Sequence, residues 1–113
     1  MEEKNLKLKP EEIQKLVKPM GYCFATDKIT IEGLPVGYMY REKPTEKDDS
    51  GWRFFSGTEE SDYLDDENNI DVYDVNTIAN YDKAIIPYLD APYETDFERI
   101  PNSDKFEIVT DED

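Results

Sequence analysis

Histidine is absent from this chain, cysteine occurs once, and no long apolar run interrupts the charged residues. Without imidazole, the commonest general base and a leading transition-metal ligand are both missing. One cysteine cannot form an internal disulfide or a multi-thiolate zinc site. Cys23, with no histidine to act as its base, reads as a small buried thiol rather than a nucleophile. Nothing reads as a membrane span, and the lysine- and glutamate-rich first residues hold no apolar signal segment, so the expected location is cytoplasmic. Positive charge is also scarce: 13 Lys and Arg stand against 28 Asp and Glu, a formal charge of -15. Phosphate binding needs clustered Lys and Arg, so this balance argues against nucleic acid and for a basic protein partner.

What the chain does have is aromatic mass. Eight Tyr, five Phe and one Trp supply large buriable surfaces within 113 residues, which favours a folded domain over the disorder that high net charge otherwise signals. A chain of this length holds one core. The division expected is a flexible N-terminus over residues 1–9, a single domain over 10–110 and an acidic tail over 111–113. Pro10, Glu11 and Glu12 suit the first turn of a helix, and Ile13, Leu16, Val17 and Met20 follow at helical spacing until Pro19 and Gly21 stop it. Tyr22 to Ala25, then Ile29 and Ile31, read as strand, turn, strand. Val36, Tyr38 and Tyr40 predict another strand, and Trp52 to Phe55 the next. Short connections between them predict an antiparallel sheet. Short helices are expected from a Thr58 cap to about Leu64, over 75–80 behind Asp74, and over 83–89 behind Asp82. A hairpin over 95–100 and 105–109 closes the chain. The fold class expected is therefore α+β: an antiparallel sheet with an N-terminal helix and short helices packed on it.

The acids carry the strongest pattern. Residues 58–74 contain Glu59, Glu60, Asp62, Asp65, Asp66, Glu67, Asp71 and Asp74 and no Lys or Arg. Asp65, Glu67 and Asn69 fall at the alternating positions of a calcium loop, but Ile70 stands where its sharp turn needs glycine and Asn76 where a bidentate glutamate should close it. No metal or cofactor is expected. The glycines fit turns and match no phosphate-cradling or dinucleotide motif. The acids then read as a partner-facing surface, with Asp62, Asp65, Asp66, Asp71 and Asp74 as the contact charges and Tyr63 and Tyr73 as anchors. In Trp52-Arg53-Phe54-Phe55, alternation sends Trp52 and Phe54 to one face and Arg53 and Phe55 to the other, and both faces are expected to be covered. The rival is a small-ligand or enzymatic pocket built from Trp52, Arg53, Asn76 and Asn80.

Three strings in order, DKITIEGLPVGYMYRE from Asp27, GWRFFSG from Gly51 and YDVNTIANYDKAIIPYLDAPYETDFER from Tyr73, resemble the immunity protein 33 domain family. The resemblance runs from about Tyr22 to Arg99. It implies a non-enzymatic antidote that binds a cognate toxin domain of a bacterial polymorphic toxin system and blocks it. An acidic inhibitor surface suits a basic toxin, such as a nuclease, and speeds its capture. Oligomeric state is not legible in the sequence.

Overall fold

The computed structural model describes residues 4–109. Six strands form one sheet in the order β4-β1-β3-β2-β5-β6. They are β1 Tyr22–Thr26, β2 Tyr38–Arg41, β3 Asp49–Phe55, β4 Ile70–Asp74, β5 Thr95–Arg99 and β6 Phe106–Ile108. The helices are short: α1 Asp27–Thr30, α2 Ser61–Leu64, α3 Val75–Tyr81, and 3-10 turns at Pro10–Glu12, Glu67–Asn69 and Lys83–Tyr88. The class is α+β, and the terminal hairpin forms as expected, with Phe97 opposite Ile108 and Arg99 opposite Phe106.

Alternation along the strands sorts the side chains. Cys23, Ala25, Met39, Trp52, Phe54 and Phe97 point to one face and are buried there with Ile78, Ile85 and Leu89 from α3 and the turn after it. Trp52 stacks near-parallel on Phe54 at 5.7 Å between ring centroids and lies 6.2 Å from Phe97. Its indole N–H donates to the Leu89 carbonyl at 3.1 Å, which satisfies the one polar atom of the largest core side chain. Burial pushes the Cys23 thiol up, so it stays protonated and serves as core volume.

The sheet is mixed, not antiparallel. β3 pairs parallel with β1 and antiparallel with β2, so it lies between two strands that both precede it. The argument from short connections holds for strands adjacent in sequence. The link from β1 to β3 is the whole of residues 27–48, β2 included, and exceeds the dozen or so residues a parallel crossover needs. Gly51 sits inside β3 at φ 90, where a Cβ would stand 2.2 Å from the Glu42 carbonyl oxygen, so only glycine lets the hairpin strands close here.

The N-terminal helix does not form; only the turn Pro10–Glu12 is helical. Asn76 Oδ1 accepts from the amides of Leu16 and Val17, Asn80 Oδ1 accepts from Gln14, and both side-chain amides donate to the Gln14 carbonyl. Those groups are thereby spent on α3. A helix this short is marginal by itself, and Pro19 biases the residue before it away from the helical region. Leu16, Val17 and Met20 still pack on the core, from an irregular segment. The strand expected around Ile29 and Ile31 is the helical turn α1: Ile29 and Thr30 are both fully buried, which consecutive residues of a half-covered strand cannot be. Glu60, not Thr58, holds the N-cap position of α2, because the Thr58 hydroxyl bonds to Ser56 instead. The acidic tail, residues 111–113, lies outside the described residues. Before the first turn, the Leu8 amide donates to the Tyr81 hydroxyl, and Lys4 pairs with Asp27 at 2.8 Å.

Candidate functional site

Residues 58–74 form α2, the Glu67–Asn69 turn and the edge strand β4. Asp62, Asp65, Asp66, Asp71 and Asp74 are all exposed. Asp65 and Asp71 line one shallow depression of about 450 Å³, together with Phe24, Leu64 and Val72. Asp66 caps the turn after it by accepting from the Asn68 amide, Asp71 accepts from the Val72 amide, and Asp74 sits at the N-terminus of α3. The two tyrosines stand apart from these acids in character. Tyr73 is half-buried against the core and donates its hydroxyl to Thr30 at 3.2 Å. Tyr63 is half-buried beneath the Lys28 ammonium, 5.1 Å from the ring centroid, and its buried hydroxyl, close to the Lys28 backbone, makes no well-formed hydrogen bond among the described residues.

Trp52, Arg53, Asn76 and Asn80 do not converge. Trp52 is in the core, the two asparagines clamp residues 14–17, and Arg53 lies on the opposite face of the sheet.

That opposite face is the feature that sequence reasoning missed. Phe24, Tyr38, Tyr40 and Phe55 project there, none of them fully buried, while α3 and the turn after it cover the other side. Tyr40 and Phe55 are near-parallel with centroids 5.8 Å apart, and Tyr38 is tilted beside them at 6.0 Å from each. These three rings floor an open depression of about 630 Å³ that Leu64 and Glu98 help to line. Leu64 belongs also to the depression holding Asp65 and Asp71, so the aromatic face and the acid-rich stretch adjoin. The signal was the alternation Tyr38-x-Tyr40 and Arg53-x-Phe55, which says which face the side chains take but not whether anything covers it.

The face is strongly carboxylated. Asp96 lies opposite Tyr40 and Glu98 opposite Tyr38. Asp96 accepts from the Tyr38 hydroxyl at 2.9 Å, and burial together with that bond pushes the Tyr38 pKa up to about 12, so the phenol stays neutral. Arg53 shares the face. Its guanidinium lies 4.5 Å from the Phe24 ring centroid, bonds Asp49 through both outer nitrogens at 2.9 and 2.7 Å, and bonds Glu42 at 2.6 Å. The loop at the margin is fixed by Glu59, which accepts from the amides of Ser56 and Gly57 and from the Thr26 hydroxyl. Burial works to raise the Glu59 pKa, but these bonds to its charged form leave it below the ordinary value.

Among the described residues no group of three or more potential ligands is placed to hold a metal ion, and no helix is long and apolar enough to cross a membrane. The class so defined is a single α+β domain with a mixed sheet, covered on one face and presenting aromatic side chains on the other. Residues 23–110 match the immunity protein Imm33 domain, and the chain belongs to that family. No curated protein and no solved structure matches it. Membership carries an immunity function and, in general, a toxin as partner; such families are not, in general, enzymes.

Proposed function

We propose that this protein binds a cognate bacterial toxin domain and neutralises it, with its carboxylates drawing in a basic partner. Seven exposed acids within residues 58–74, with no Lys or Arg between them, carry the reading. They adjoin a sheet face whose aromatic rings are only partly covered, so long-range attraction and a contact surface sit side by side. Charges of this kind act mainly on the association rate, and salt screens them over a distance of about 10 Å at 0.1 M. Asp62, Asp65, Asp66, Asp71 and Asp74 are the steering charges, with the half-buried Tyr63 and Tyr73 beside them as anchors.

The protein used as bait in lysate of its source, at low and at moderate salt, tests this. A basic toxin domain retained at low salt and released by moderate salt is the expected result. With that partner in hand, Asp62→Asn, Asp65→Asn and Asp66→Asn together should slow association and flatten its salt dependence. An unchanged association rate would place the contact surface elsewhere on the molecule.

A further inference from the structure

We infer that the Tyr38, Tyr40 and Phe55 rings are the seat for an arginine side chain of a basic protein partner, with Glu98 as its counter-charge. The partner's identity as a toxin rests on the reading above; the chemistry of the seat does not.

The carboxylates at this end of the face are not neutralised from within the described residues. Glu98 stands directly opposite Glu107 across β5 and β6, both are exposed, and neither has an ion-pair partner among the described residues. Like charges directly opposite in a ladder are destabilising, so the fold carries a small cost here that a bound cation would relieve. Arg99 borders the same depression but is committed elsewhere: it pairs with Asp82 and donates to the Val36 and Ser103 carbonyls. It does not neutralise Glu98.

The rings supply the other half of the seat. Two near-parallel rings and a third tilted against them by 40° to 45° form a corner on which a flat cation can lie. An open depression of about 630 Å³ gives it room. Cations are attracted to such ring faces, and a guanidinium both stacks on a ring and forks to a carboxylate, which an ammonium does not. The same face already contains this arrangement once, filled from within: Arg53 lies over Phe24 and is held by Asp49 and Glu42. The Tyr38, Tyr40, Phe55 and Glu98 set repeats its components without an internal guanidinium.

The test is a titration of isotope-labelled protein with three hexapeptides rich in arginine, lysine or citrulline, followed by the ring resonances of Tyr38, Tyr40 and Phe55. Arginine peptide should shift these rings at the lowest concentration, lysine peptide should bind about threefold or more weakly, and neutral citrulline peptide should leave them unmoved. Tyr40→Ala should weaken arginine peptide about fivefold. Glu98→Gln should weaken it as well, and because that side chain is exposed and repelled by Glu107 the variant keeps the fold. Equal effects from all three peptides, or shifts confined to residues 58–74, would overturn the inference. With a captured toxin the two readings separate. Toxin affinity unaltered by Tyr40→Ala and Glu98→Gln overturns the seat and leaves the antidote reading standing; arginine-selective shifts with no toxin retained support the seat and remove the antidote reading.

Discussion

Replacing Asp49 by asparagine removes one charge from the most enclosed ion pair among the described residues while keeping its shape. The Asp49 side chain is 6% exposed and that of Arg53 9%. The carboxylate takes both outer guanidinium nitrogens and also the Gly51 amide at 2.9 Å, three of the roughly four bonds it can accept. Asparagine would turn an N–H2 group toward a guanidinium that can only donate. Breaking a buried pair by removing one partner costs about 3 to 5 kcal/mol, and the low end applies because Glu42 still holds Arg53. With a urea dependence of roughly 1.5 kcal/mol per molar for a domain of this size, a loss of about 3 kcal/mol lowers the midpoint by about 2 M. The fluorescence of Trp52, the only tryptophan and fully buried, reports the transition. The hydrogen bonds from Arg53 hold the Asp49 carboxyl below its ordinary value against the opposing effect of burial, with the Gly51 amide adding to them. A depressed folded pKa contributes stability that is complete above the unfolded value of about 3.9 and is lost as pH falls through the folded one. The gap between wild type and Asp49→Asn should therefore be full at neutral pH and close as acid protonates the folded Asp49 carboxylate. Glu59 titrates in both proteins and cancels in the difference. A midpoint shift under about 0.5 M at neutral pH, or a gap unaltered by acid, would refute the reasoning.

Asn76→Ala removes the acceptor of the Leu16 and Val17 amides and should cost about 2 kcal/mol, with those two amides losing hydrogen-exchange protection before the strands do. Unchanged exchange there would mean that side-chain packing alone holds the segment. Glu59→Gln weakens charge-assisted bonds to Ser56 and Gly57 and should cost about 1 to 2 kcal/mol, read from the urea midpoint; no loss would mean water replaces them freely. Tyr63→Phe deletes a buried hydroxyl that makes no well-formed hydrogen bond among the described residues, so stability should stay level or rise by up to about 1 kcal/mol, and a clear fall would show that the nearby Lys28 backbone bonds to that oxygen.

The elements legible in the sequence were those whose information is local. Trp52 to Phe55, the terminal hairpin, α3 and the Asp82 cap on the Ala84 amide all follow from alternation, turn chemistry and capping over a few residues. Residues 13–20 carry helical spacing without forming a helix, because that spacing is also met by an irregular segment that dips Leu16, Val17 and Met20 into the same core. What decides between the two is a distant asparagine pair, and hydrogen bonds between positions 59 to 66 residues apart leave no periodic trace. The parallel pairing of β1 and β3 is of the same kind: the order of strands in a sheet is set by which strand the hairpin returns beside, and no single connection encodes it.

The site divides along the same line. The exposure of the acids in residues 58–74 is legible because exposure is the default for charge, and all five aspartates named from the sequence are exposed. The aromatic face was not, because an alternating strand has the same sequence whether its second face meets a helix or meets a partner. Arg53 made the reading harder still. Buried as it is, it argues for a covered face, and what covers it is its own pair of carboxylates and the Phe24 ring rather than a second layer of helices. A sheet with one closed face and one face of half-exposed rings keeps its core on the closed side. Changes at Tyr40 or Glu98 therefore separate binding from folding more cleanly than changes at Trp52 or Phe54, where every substitution reports on the core.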